Sequence, residues 1–155
     1  MEEKFKNAYD SVLLTHSVLK RLGSGSVSTF SDRLRSQKLQ YFAQLFGVSP
    51  QYRYNLYLRG PYSPDLAHDL FKIRSSNVSI GTEKFIPDEL EQSFAKLKKF
   101  ISGKGNRALE LVATLHWLLK LAKLSEENAS IKLKQLKNAD ESELSYAFTA
   151  VKELS

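Results

Sequence analysis

Apolar residues recur every three or four positions along most of this chain, which is the spacing of one buried face of an α-helix. This spacing, with glycine, proline and serine at the interruptions, predicts seven helices. They cover residues 7–22, 31–46, 64–74, 88–101, 107–123, 126–136 and 141–154. The fifth is the most apolar, so we expect it to lie at the centre of the core.

Residues 52–59 depart from this pattern because apolar and polar side chains alternate there. Tyr52, Tyr54, Leu56 and Leu58 fall on one face, and Arg53, Asn55, Tyr57 and Arg59 on the other. A period of two predicts a short, half-buried strand that ends at Gly60-Pro61. A second short strand within residues 75–87 is expected to pair with it. Ser63 and Pro64 should then start the next helix, as its N-cap and first residue.

Together these elements predict a mainly α (α+β) fold. We expect a compact bundle of about six or seven helices with a small two-stranded β-wing, and a winged-helix-like arrangement is one way to connect them. A chain of 155 residues fits one globular domain over residues 1–155.

Composition narrows the function classes. Hydrophobic residues make up 42% of the chain, which is typical of a folded domain. The absence of cysteine excludes disulfides, thiolate zinc sites, iron–sulfur clusters and a cysteine nucleophile. No apolar run is long enough to span a bilayer, and the first residues lack the apolar core of a signal peptide. We therefore expect a cytoplasmic protein without a membrane partner.

No catalytic or metal-binding pattern stands out. His16, His68 and His116 do not have metal-ligand spacing, so we expect no metal and no cofactor. His116 lies in an apolar helix, which favours a structural role in the core over a ligand or base role. An enzyme that combines His68 with Arg59 and Tyr62 is the least favoured interpretation.

Net charge is +6, and several basic residues cluster. The densest cluster surrounds a predicted helix end and a glycine-rich loop, and consists of Lys96, Lys98, Lys99, Lys104 and Arg107. Two further basic clusters contain Lys132, Lys134 and Lys137, and Arg33, Arg35 and Lys38. Such residues stabilise helix ends without any ligand, and they also contact phosphates. If the clusters converge in space, nucleic-acid binding becomes the better interpretation.

A mixture of aromatic and guanidinium side chains suggests a binding surface near the predicted strand. Its residues are Arg53, Tyr57, Arg59 and Tyr62. This mixture is typical of protein interfaces, and it also suits single-stranded nucleic acid, whose bases stack on aromatic rings. The alternative is that the tyrosines pack over neighbouring helices.

Two segments carry a family resemblance. Residues 35–47 contain Lys38-Leu39-Gln40, and residues 54–66 contain Gly60-Pro61-Tyr62-Ser63-Pro64. Over residues 33–74 the chain resembles the YwgA-like proteins and is distantly similar to the SocA-like (Panacea) proteins, which pair a Lys-Leu-Gln helix with a Gly-Pro turn. The resemblance implies an antitoxin-like or adaptor-like role through protein binding, with no catalytic residues. We therefore expect a non-enzymatic protein-interaction module, with a nucleic-acid-binding regulator as the alternative.

Overall fold

Helices dominate the computed structural model, which describes residues 8–23, 27–49, 51–76 and 87–154. The α-helices are α1 Ala8–Arg21, α2 Phe30–Leu45, α3 Pro64–Ser76, α4 Glu91–Ile101, α5 Asn106–His116, α6 Glu126–Lys137 and α7 Glu141–Lys152. The strands are β1 Asn55–Tyr57 and β2 Gly60–Tyr62. A 3₁₀ turn at Asp88–Leu90 precedes α4, and a π-helical segment at Trp117–Leu121 continues α5. The predicted mainly α fold with a small two-stranded sheet is confirmed.

Side-chain caps explain where several helices begin. Thr29 caps α2 in a reciprocal capping box with Asp32, and Asp140 caps α7 in the same way with Glu143. The Ser63 hydroxyl accepts from the Leu66 backbone N–H at 3.2 Å, which confirms its predicted capping of α3.

Helix α2 ends in a glycine-dependent turn. Gly47 has a φ of +75°, a conformation that side-chain-bearing residues rarely adopt. Its N–H donates to the Gln44 carbonyl at 3.0 Å, and the Val48 N–H donates to the Ala43 carbonyl at 2.9 Å. This pair of bonds is a Schellman motif. It reverses the chain, so that residues 51–54 return along α2.

Contacts divide the chain into two compact units. Unit 1 consists of Met1–Tyr54 and Ser63–Ser102, and unit 2 of Asn55–Tyr62 and Gly103–Ser155. One domain over residues 1–155 stays a prediction.

The core of unit 1 combines aliphatic and aromatic side chains from α1, α2, α3 and α4. Its fully buried members include Leu14, Leu19, Leu39, Phe42, Leu66, Leu70 and Leu97. The rings of Phe42 and Phe100 lie 5.2 Å apart between α2 and α4. Four polar residues of α2 are also buried here, namely Ser36, Gln37, Lys38 and Gln40. Lys38, predicted to belong to a basic surface cluster, is only 2% exposed, so that prediction is wrong.

In unit 2, α5 packs against α6, α7 and β2. Its buried residues include Leu109, Val112 and Leu115, and Leu133 of α6 and Ala147 of α7 are buried as well. None of the helices in the described part of the chain has the length and apolarity needed to cross a bilayer.

The sheet differs from the prediction in its second strand. Most of residues 75–87, where that strand was expected, lies outside the described residues. The partner of β1 is β2, which begins at Gly60, three residues after β1 ends. Pro61 is compatible with this position, because β2 belongs to a two-stranded sheet and needs to pair on one side only.

Candidate partner-binding hairpin

A tight turn joins the two strands. Asn55 pairs with Tyr62, Leu56 with Pro61 and Tyr57 with Gly60, which leaves Leu58 and Arg59 as the turn residues. Neither turn residue has a positive φ, whereas Gly60 has a φ of +88°. This rules out the mirror-image turns that need a positive φ in the turn itself, and it fits a turn closed by a glycine in the left-handed region. We call Tyr57, Leu58, Arg59 and Gly60 the hairpin tip.

The hairpin tip exposes an apolar side chain. Leu58 is 86% exposed and Tyr57 is 48% exposed. Tyr57 is supported by Tyr62, whose ring lies 5.5 Å away in an edge-on arrangement. The prediction that Leu58 shares the buried face of a strand is wrong, because the strand ends at Tyr57 and Leu58 belongs to the turn.

A buried lysine fixes the backbone of this turn. The Lys137 Nζ, at the end of α6, donates to the Leu58 carbonyl oxygen at 2.7 Å. It also forms an ion pair with Glu110 Oε2 of α5 at 2.8 Å. Lys137 is only 8% exposed, so its predicted place in a basic surface cluster is wrong. Through this ammonium group, the turn backbone is bound to the end of α6 and to Glu110 of α5.

Arg107 supports the same end of α6. It donates to the Lys137 carbonyl at 2.7 Å and to both carboxylate oxygens of Glu143, at 2.9 and 3.2 Å. The bond to Glu143 raises the pKa of Arg107, and the bond to Arg107 lowers the pKa of Glu143. Arg107 was predicted to bind nucleic acid; the structure shows Lys137 and Glu143 as its partners, and the nucleic-acid role stays a prediction.

Two glutamines of α2 bind the backbone of the segments before and after the hairpin, and both contacts lie within unit 1. The Gln44 carboxamide accepts from the Tyr52 N–H at 3.0 Å and donates to the Tyr52 carbonyl at 3.1 Å. The Gln37 carboxamide accepts from the Ser63 N–H at 2.9 Å and donates to the Ser63 carbonyl at 3.0 Å. Each side chain thus imitates a neighbouring strand. They are seven positions apart, so they lie on one helix face.

Tyr52 joins a directed chain of hydrogen bonds. Its hydroxyl donates to Asp69 Oδ2 at 2.6 Å and lies 2.8 Å from the Thr15 hydroxyl. Because the Tyr52 proton points at Asp69, Thr15 donates to Tyr52, and Gln40 Nε2 donates to Thr15 at 3.4 Å. Burial, and then the bond to Asp69, raise the pKa of Tyr52. These bonds make Tyr52 a structural residue.

The four residues predicted to bind a partner are divided between the units. Arg53 is exposed in unit 1. Tyr57, Arg59 and Tyr62 belong to the hairpin in unit 2, where the rings of Tyr57 and Tyr62 are in contact. Leu58 and Lys137 complete this arrangement. The sequence signal for a turn at Leu58 and Arg59 is Gly60, because glycine is typical of the residue that closes a turn.

The predicted nucleic-acid residues are divided as well. Lys96, Lys98 and Lys99 are exposed on α4 in unit 1. Lys104 and Arg107 belong to unit 2, where Lys104 is half-buried.

The histidines show no metal-binding arrangement. Within the described residues, no group of three or more histidine, aspartate or glutamate side chains is placed to hold a metal ion. His116 is buried in α5, as predicted. Burial, and then the nearby charge of Lys120, lower the pKa of His116 to about 4. His68 is exposed in unit 1, whereas Arg59 and Tyr62 belong to unit 2.

Comparisons with protein-family models, with curated proteins and with solved structures find no significant match to this chain. The resemblance to the YwgA-like and SocA-like proteins therefore stays a prediction.

Proposed function

We propose that this chain is a non-enzymatic protein-binding module, adaptor-like or antitoxin-like, and that the hairpin tip anchors its partner. The bond from Lys137 to the Leu58 carbonyl carries this proposal. Burying a lysine is costly unless its charge is paired and its donors are used. Here that buried charge fixes the backbone beneath Leu58, the most exposed large hydrophobic side chain in the described part of the chain.

The chemistry of the tip indicates the kind of partner. A turn whose backbone is already held loses little backbone entropy on binding, which favours affinity. Leu58 projects between Tyr57 and Arg59, and aromatic and arginine side chains are enriched where interfaces gain most of their energy. Since the chain carries a net charge of +6, the partner surface is expected to be an apolar pocket with an acidic rim.

Site-specific photo-cross-linking in cells tests this proposal. A benzophenone amino acid at position 58 is expected to cross-link one protein, and the same amino acid at position 71 is the control. Phe71 is a suitable control because it is 62% exposed but lies on α3 in unit 1. The recovered protein must then bind the purified chain and lose binding on Leu58→Asp. Equal products from both positions, or binding that survives Leu58→Asp, would overturn the proposal.

Nucleic-acid binding is the second candidate, and one observation favours it. Lys96, Lys98 and Lys99 are all exposed within two turns of α4. A fluorescence-anisotropy titration with short single- and double-stranded DNA and RNA at two salt concentrations tests it. Binding that falls steeply with salt and is lost in Lys98→Glu/Lys99→Glu, but not in Lys132→Glu on α6, would support this candidate. No binding at low salt would remove it.

A further inference from the structure

Unit 2 carries an open groove between α6 and α7, which we call the α6/α7 groove. Its volume is about 280 Å³. Its lining includes the apolar side chains of Leu144 and Phe148 and three carboxylates, those of Glu126, Glu127 and Glu141. Pockets for drug-sized ligands have volumes of about 300–1,000 Å³. The groove is smaller than these and open to solvent, so it suits one inserted side chain better than a small-molecule ligand.

The rim of this groove is acidic, although the chain as a whole has a net charge of +6. Glu126 and Glu127 are exposed in the first turn of α6, and neither belongs to an ion pair within the described part of the chain. Leu144 is buried and Phe148 is half-buried, so the apolar side chains form the floor and the carboxylates the rim. The groove therefore offers an apolar contact beside unpaired negative charge.

The hairpin tip has the complementary chemistry. Leu58 is apolar and exposed, and Arg59 beside it is exposed as well. A guanidinium group has five N–H donors, so Arg59 can contact a carboxylate in addition to its contact within its own chain. The tip of the same copy is bound to Lys137, at the opposite end of α6 from Glu127 and about 15 Å away along the helix axis. A tip that enters the groove therefore comes from a second copy.

We propose that the hairpin tip of one copy inserts into the α6/α7 groove of a second copy. Leu58 then packs against Leu144 and Phe148, and Arg59 faces the carboxylate rim. This inference rests on the proposed role of the hairpin tip and names its partner. Because the tip and the groove are different surfaces of one chain, the contact is heterologous and joins copies head to tail.

Sedimentation velocity of the purified chain at low salt tests this inference, over concentrations up to about 1 mM that include weak specific contacts. The native chain is expected to form assemblies whose mass grows with concentration. Leu58→Asp in the tip and Glu126→Lys/Glu127→Lys in the groove should each stay monomeric. The matched control is Asp88→Lys/Glu89→Lys, which reverses two adjacent exposed carboxylates in the 3₁₀ turn of unit 1 and should assemble like the native chain.

Mixing the two deficient variants tests the head-to-tail geometry. Leu58→Asp keeps an intact groove and Glu126→Lys/Glu127→Lys keeps an intact tip, so their equimolar mixture should form a heterodimer and nothing larger. A native chain that stays monomeric, assembly that survives either variant, or a mixture without heterodimer would overturn the inference.

Failure of this inference is distinguishable from failure of the proposed function. If the native chain is monomeric while position 58 cross-links a different protein, the hairpin tip is still the anchor and only the second copy is the wrong partner. Equal cross-linking from positions 58 and 71 contradicts the proposed function itself.

Discussion

The Lys137 ammonium group donates to the Leu58 carbonyl oxygen at 2.7 Å, across 79 positions of sequence. The same ammonium group is paired with Glu110 at 2.8 Å. The backbone of the hairpin tip is therefore hydrogen-bonded to Lys137, while the Leu58 side chain is exposed to solvent. That combination is the reason we assign the tip, rather than any pocket, as the binding element.

Lys137→Met should loosen the hairpin tip. The substitution keeps most of the apolar stem but leaves Glu110 and the Leu58 carbonyl without their partner. We expect the free energy of unfolding to fall by about 2–4 kcal/mol, and amide hydrogen exchange at Arg59 and Gly60 to speed up. Lys132→Met, at an exposed position of the same helix, is the control and should change stability by less than about 0.5 kcal/mol. Unchanged exchange at the tip would show that Lys137 does not hold it.

Gln37→Glu should disrupt the pairing of α2 with Ser63. Glutamate has the shape of glutamine, but it replaces the donor that faces the Ser63 carbonyl with an oxygen and brings a charge into a buried site. We expect a loss of about 2–4 kcal/mol in urea unfolding near neutral pH. Gln92→Glu, exposed on α4, is the matched control. A loss no larger than that of the control would contradict this role of Gln37.

His116 should make the protein less stable in mild acid. The pKa of His116 is about 4 in the folded chain, below its ordinary value of 6.5, so the unfolded chain binds its proton more readily. Stability is therefore full above about pH 6.5 and falls as the pH drops toward about 4, by about 3 kcal/mol. Urea unfolding across this range measures it. His116→Gln should flatten the dependence, whereas His68→Gln, at an exposed position, should leave it intact.

Local signals explain which parts of the fold could be predicted. Thr29, Ser63 and Asp140 are capping residues beside periodic apolar stretches, so the sequence alone locates the starts of their helices. Alternation likewise locates the extended segment at residues 51–57, which runs alternately exposed and half-buried. These features depend on neighbours a few positions away.

The site depends on contacts that are distant in sequence. Lys137 continues the row of Ala129 and Leu133, four positions apart, which indicates a buried position. The groups that pair its charge, Glu110 and the Leu58 carbonyl, are distant in sequence and carry no such signal. Leu58 fits the alternating pattern by residue type, yet the turn before Gly60 moves it off the strand. The spacing of Gln37 and Gln44 places them on one helix face, but their backbone partners are set by how the chain returns along α2.

The most direct test of the central claim is the dissociation constant of the complex with the protein that cross-links at position 58. It should be measured for the native chain, for Leu58→Asp and for the exposed control Phe71→Asp. If the hairpin tip is the anchor, Leu58→Asp weakens binding by about 30-fold or more, as expected for a hot-spot side chain, and Phe71→Asp changes it by less than about twofold. Equal effects of the two substitutions, or no effect of Leu58→Asp, would contradict the account.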